Sequence, residues 1–309
     1  MDSQFTYQTN DFEPLSADAF AREEIARPQT TYIKDVWRSF RKRKTAVFGM
    51  AVVCIMVLMV LFAPMMNEFN YYSNNYDVIN QAPNSVYWFG TDELGRDLWT
   101  RVWEGGRVSL LIAVLATIIP YALGMAIGGL SGYIGGRVDM IIMRIIDVLM
   151  GIPSMIYNIL LMVVLGSGNI STLVIAFTLT GWMGSARSTR GLVLQLKERD
   201  FVMASKTLGA SPARIIFKHL IPNTMGIAVV GMASSIPNII FAEAFLSFIG
   251  LGIAPPKPSW GQLIKSASTV FKTYPYQFLI PCACISITML CCYLMGDGLR
   301  DALDPRLRT

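Results

Sequence analysis

Six long apolar runs separated by polar stretches divide the chain, at about 45–66, 108–130, 140–165, 170–186, 225–249 and 276–295. A helix needs about 20 apolar residues, at 1.5 Å each, to cross the hydrocarbon core of a bilayer. Each run therefore predicts a membrane-spanning helix, the fourth being the shortest. Prolines inside the runs are tolerated where neighbouring helices satisfy the freed backbone groups. The pattern predicts an all-α polytopic membrane protein with an N-terminal stretch over 1–44, a six-helix domain over 45–300 and a tail over 301–309. An even number of crossings puts both termini on one side. Residues 1–30 are polar, with Pro14 and Pro28, and read as a loosely ordered tail. Over 31–44, Ile33, Val36, Trp37 and Phe40 fall at helical spacing with basic residues between them. That suits a helix lying on the membrane surface; a stop signal flanking the first run is the alternative.

The polar interruption 187–222 carries the clearest turn chemistry. Gly209 suits the left-handed residue that ends a helix. Ser211 and Pro212 then suit the cap and first position of the next helix. Pro222 should stop that short helix, which is expected over about 212–219. The reading is two helices joined by a sharp bend at 209–211.

Composition narrows the class. With 53% hydrophobic and 15% charged residues and a mean hydropathy of +0.46, this is no soluble globular chain. With the N-terminus inside, 20 of the 26 Lys and Arg residues fall in inner segments and six outside. That asymmetry orients both termini to the cytoplasm, so the net charge of +5 reads as topology rather than nucleic-acid binding. The five cysteines all lie in apolar runs, without metal-ligand spacing, and read as small core thiols. No cleavable signal peptide is apparent, because the first 40 residues are polar.

Two stretches resemble one family. The bend at 203–222 resembles the cytoplasmic coupling loop of ABC-transporter permeases, with Ala204, Gly209 and Pro222 in register. Met203 stands where that family usually has glutamate. The end of the outer loop 67–107 resembles the dipeptide/oligopeptide/nickel permease subfamily, through Gly90, Thr91, Asp92, Gly95, Arg96, Asp97, Arg101, Gly105, Arg107, Ser109 and Leu110. Asp92, Arg96, Asp97 and Arg101 lie close enough for a salt-bridged cap over a pore mouth; contact with a substrate-delivering receptor is the alternative. Trp88, Trp99 and Trp103 suit the membrane interface.

Within the runs, Gly124, Gly128, Gly132 and Gly136 recur every fourth residue and should admit a closely packed helix. Asp139, Arg144 and Asp147 sit near the cytoplasmic end of the third run, where Arg144 and Asp147 are spaced to pair. Glu243 is the only carboxylate in the fifth run; it either faces a translocation path or satisfies a neighbouring helix. Residues 252–275, rich in proline, read as a rigid outer loop, and Asp304-Pro305 as the stop of the last helix.

There is no G-x-x-x-x-G-K-[ST] loop, no H-E-x-x-H and no CxxC, so neither an ATPase site nor an enzyme is expected here. The resemblance implies the type I ABC importer permease fold and a subunit that imports di- or oligopeptides across a prokaryotic inner membrane. It implies a second homologous permease, two cytoplasmic ATPases that hold the ATP and Mg, and an extracytoplasmic solute-binding protein. The coupling element would comprise Ala204, Ser205, Lys206, Leu208, Gly209, Ala210, Ser211, Pro212, Arg214 and Lys218. No cofactor or metal is expected on this chain. A stand-alone secondary transporter is the competing class.

Overall fold

The computed structural model describes residues 32–166 and 168–303, whose regular structure is helical apart from two isolated β-bridges. The expected N-terminal tail and the helix stop at Asp304-Pro305 lie outside the described residues. Among the described residues, besides two short 3-10 turns, ten helices follow one another: α1 (Tyr32–Lys42), α2 (Lys44–Phe62), α3 (Leu98–Ile134), α4 (Gly136–Met150), α5 (Ser154–Leu165), α6 (Ile170–Leu196), α7 (Asp200–Thr207), α8 (Pro212–Phe248), α9 (Trp260–Ser268) and α10 (Pro275–Leu303).

Four of them, α2, α3, α8 and α10, are long and apolar enough to cross a membrane. The run expected as one membrane-spanning helix over 140–165 is instead α4 and α5, bent by 86°. Gly151, Ile152 and Pro153 separate them, because proline lacks a donor and crowds the preceding residue out of helical geometry. Counted as one bent span, the pair is a fifth. At 27 residues α6 has the length to cross, but threonine, glycine and serine dilute its apolar run.

Two further expectations change. The helix starting at Pro212 does not end before Pro222; it runs on to Phe248. Ile215–Leu220 open into a π-turn, and the Ile221 amide donates to the Ile216 carbonyl. The ladder has therefore already slipped by one residue when Pro222 arrives without an N–H. The Asn223 carboxamide then donates to the His219 carbonyl at 2.6 Å. The segment 252–275 is not loop throughout either. Ser259 accepts from the Gln262 amide at 3.3 Å and starts α9.

Glycines set the packing of α3 against α6. A Cβ on Gly128 would lie 2.1 Å from the Ala186 carbonyl oxygen, one on Gly124 2.4 Å from that of Trp182, and one on Gly132 3.0 Å from that of Arg190. The two backbones touch. Gly136 is no part of this groove: it opens α4 at φ +56° with nothing within 4 Å of an added Cβ. At the other side of the bundle, α2 and α10 meet through Gly298 against Ala46 and Gly49 against the Cys291 carbonyl. Arg43 and Asp301 pair at 2.5 Å, which brings the start of α2 to the end of α10. Trp260 is fully buried in the largest core, among α2, α3, α8 and α10.

Gly128→Ala is expected to destabilise the detergent-solubilised protein by about 1–3 kcal/mol, because a backbone carbonyl cannot yield as a side chain would. Gly184→Ala, where an added Cβ meets nothing within 4 Å, should be neutral or slightly stabilising. Thermal unfolding of the two variants side by side checks the contrast; equal shifts would refute the close approach.

Candidate functional site

The bend read from the sequence is an exposed elbow. Gly209 takes φ +77° and its amide donates to the Lys206 carbonyl at 2.9 Å, while Ala210 donates to Ser205 at 3.0 Å. These bonds close α7 in the manner of a left-handed C-terminal cap. Two residues on, the Ser211 hydroxyl accepts from the Arg214 amide at 3.4 Å, and Pro212 takes the first helical position of α8. The whole candidate set lies on this elbow: Ser205 and Ala210 are half-buried, and Ala204, Lys206, Leu208, Gly209, Ser211, Pro212, Arg214 and Lys218 are exposed. Leu208 is 87% exposed at the tip. Met203 and Phe217 are exposed beside it, at 54% each.

The elbow is tied to the bundle from beneath. Val202 of α7 is buried with Val193 of α6 and with Ile215, Ile216 and Leu220 of α8. The Lys206 ammonium sits 5.4 Å from the centre of the Tyr133 ring, at the end of α3. Displacing the tip therefore loads three long helices at once.

The outer-loop candidates turn inward. Asp92 accepts from the amides of Leu94 and Arg96 with one oxygen, and its other oxygen pairs with Arg96 at 2.7 Å and Arg101 at 3.4 Å. Arg101 is fully buried and donates to the Tyr71 carbonyl at 2.6 Å. Asp97 is the exception to the expected ion-pair cluster. It caps α3, accepting from the Thr100 amide at 2.8 Å, and takes the Asn67 carboxamide at 2.8 Å. The capping reflects the free N–H groups of a helix start, which outcompete a third ion pair. Gly95, at φ +69°, lets the Asn75 carbonyl approach to where its Cβ would lie. The loop is also fastened to α10, where Gln277 donates to the Asn80 side chain and the Thr91 carbonyl at 2.8 and 2.9 Å.

Glu243 is fully buried. Its two oxygens accept from Ser109 of α3 at 2.8 Å and Ser247 at 2.7 Å. Ser259 reaches Ser247 at 3.2 Å, and the Trp260 amide reaches Ser109 at 3.3 Å. The carboxyl thus joins α3, α8 and the start of α9. Of the two roles weighed for it, this geometry is that of a group satisfying its neighbours. The expected Arg144–Asp147 pair is replaced by contacts between helices: Asp147 pairs with Arg187 of α6, and Asp139 with Arg190 of α6 and Ser131 of α3. Arg187 and Arg190 project from α6 towards α4, so bonding across the crossing displaces bonding along one helix.

Sequence reasoning missed the serine partners of Glu243 and the role of Arg107, which donates to the Val60 and Leu61 carbonyls at 2.7 and 2.6 Å and so caps the end of α2. One signal was legible: Ser247 lies four residues after Glu243, on the same helix face.

Comparison with known proteins accords with this arrangement. Residues 124–309 match the family described as binding-protein-dependent transport system inner membrane component. Residues 31–83 match the N-terminal TM domain of oligopeptide transport permease C. The oligopeptide transport system permease protein OppC of Bacillus subtilis (strain 168) is 44% identical over 299 residues, 97% of this chain and 98% of its own length. The dipeptide transport system permease protein DppC of the same organism is 44% identical over 287 residues, 93% of this chain and 89% of its own. OppC of Haemophilus influenzae is 36% identical over 300 residues, 96% of each chain. The match over three fifths of the chain, with relatives alike from end to end, makes this protein a member of the binding-protein-dependent transport system inner membrane component family.

Proposed function

We propose that this chain is the permease subunit of an ATP-driven importer of di- or oligopeptides, and that its elbow is the element a separate ATPase grips. The observation that carries the reading is Leu208, 87% exposed at the tip of an ordered bend whose underside is welded to α6 and α8. Such a bend gives a soluble partner something to hold and a rigid route into the bundle. The small residues Ala204, Ser205, Gly209 and Ala210 admit close approach, and Lys206, Arg214 and Lys218 offer charge to the rim of a cleft. ATP and Mg belong to the partner.

The chain crosses the membrane six times in this reading, with α6 and the bent α4–α5 pair as the two less regular spans. Both termini lie in the cytoplasm, in line with the distribution of positive charge and with the Arg43–Asp301 pair between the first and last spans. A second homologous permease completes the pore, two ATPases bind inside, and a solute-binding protein docks outside. The loop carrying Asp92, Arg96, Asp97 and Arg101 acts as a structural cap, since Asp92 pairs with Arg96 and Arg101 and Asp97 holds the α3 terminus.

Leu208→Asp should leave the level of protein in the membrane unchanged and lower peptide-stimulated ATP hydrolysis by the assembled complex about thirtyfold, the size of a central contact residue. Gly209→Glu should act in the same direction and adds a left-handed strain of about 1–2 kcal/mol. Phosphate release by the purified complex, with and without peptide-loaded binding protein, reads both; stimulation at the original level would strip the elbow of its coupling role.

A further inference from the structure

One face of α8 is out of keeping with a lipid-facing helix. The exposed positions Ser234, Asn238, Phe241, Phe245 and Phe248 recur at three and four residues and so form one stripe. Asn238 lies ten residues before the end of α8, close to the middle of the apolar run 225–249. Its side chain is exposed there. The carboxamide oxygen accepts the Tyr293 hydroxyl of α10 at 2.8 Å, and the nitrogen donates to the Ser234 carbonyl at 3.2 Å. Beside this pair lies a groove of about 600 Å³, lined by Phe241, Phe245 and Phe248 on α8 and by Ser286, Leu290 and Tyr293 on α10. That volume is within the usual range for a small-molecule site.

An exposed amide in the middle of an apolar span is costly against lipid. Helices packed on one another in a membrane favour small residues at the contact, and here three phenylalanines stand in a row. A water-filled path with a cargo of mixed polarity satisfies both facts. The Asn238 carboxamide keeps one N–H and one oxygen lone pair unused, and the Tyr293 oxygen can still accept. Together they match the C=O and N–H of a peptide unit. The aromatic wall matches apolar side chains.

We propose that this groove is a contact site for the peptide during translocation, with Asn238 and Tyr293 holding a backbone amide and Phe241, Phe245 and Phe248 the adjoining side chain. The proposal rests on the reading of the chain as a peptide permease. It assigns the path to the outer stripe of α8 rather than to the buried Glu243.

The test uses the complete complex in proteoliposomes with radiolabelled trialanine and triphenylalanine. Asn238→Leu keeps the volume and removes the hydrogen bonds; it is expected to lower uptake of both peptides five- to tenfold per assembled complex. Phe245→Ala should lower uptake of triphenylalanine several-fold more than that of trialanine, a change of ratio that a merely structural role would not produce. A photoreactive phenylalanine analogue at position 245 should crosslink to labelled peptide. An unchanged uptake ratio, or crosslinks confined to lipid or to the second permease, overturns the site. If the unaltered complex accumulates neither peptide, the peptide reading falls, and the site with it. A wild-type complex that transports normally beside indifferent variants overturns the site alone.

Discussion

Backbone contact between α3 and α6 fixes the spacing on which the remaining structure depends. Inside a bilayer, apolar surface gains nothing by leaving lipid for protein, so helices associate through close packing and interhelical bonds. Gly124 and Gly128 let the carbonyls of Trp182 and Ala186 come within contact of the α3 backbone. The many weak dispersion contacts made over this length add up. With α6 held at that distance, its lower end brings Val193 to the elbow cluster and its arginines to α4. The position of the elbow is thus inherited from residues that have no side chain.

Polar groups follow the same economy of partners. A buried ionic group is tolerated where hydrogen bonds meet every exposed lone pair or proton, and it is penalised where they do not. Asp92 illustrates the first case, taking two amides and two guanidinium groups. Arg107 answers a different need: the last carbonyls of α2 have no intrahelical donor, and a guanidinium supplies one. Glu243 joins three elements through hydroxyls alone. These clusters stand at the helix ends and at the α3–α8–α9 junction, leaving the faces of α2 and α5 apolar and exposed.

Much of this was legible in the sequence. Composition and run length give the fold class, and the elbow could be read residue by residue because Gly209, Ser211 and Pro212 act locally. What escaped depends on non-local geometry. Nothing along the chain indicates that Asp147 prefers Arg187, forty residues away, to Arg144 three residues away. The bend at Pro153 and the continuity through Pro222 reverse each other's expectation. Both prolines lack a donor, but only at 222 does a widened turn precede the residue, with the Asn223 carboxamide bonded to the His219 carbonyl beside it. The helix α9 was hidden because the prolines around it dominate the composition, while its cap, Ser259, is a single residue. Asn238 carries no distinguishing pattern either; its exposure and its bond to Tyr293 depend on how α8 and α10 pack.

The π-turn at Ile215–Leu220 also has an angular meaning. It inserts one residue more than a regular coil would carry, and each residue advances a helix by about 100° around its axis. Leu208 and the Ser211 cap are therefore aimed at a bearing offset by that amount from the one an unbroken ladder would give. Were the six-residue loop to relax into ordinary spacing, the tip would swing sideways around the rod, with little bending and almost no change of height. The elbow thus rests on a segment whose rewinding would turn it about the axis of α8, a movement distinct from any hinge that opens or closes.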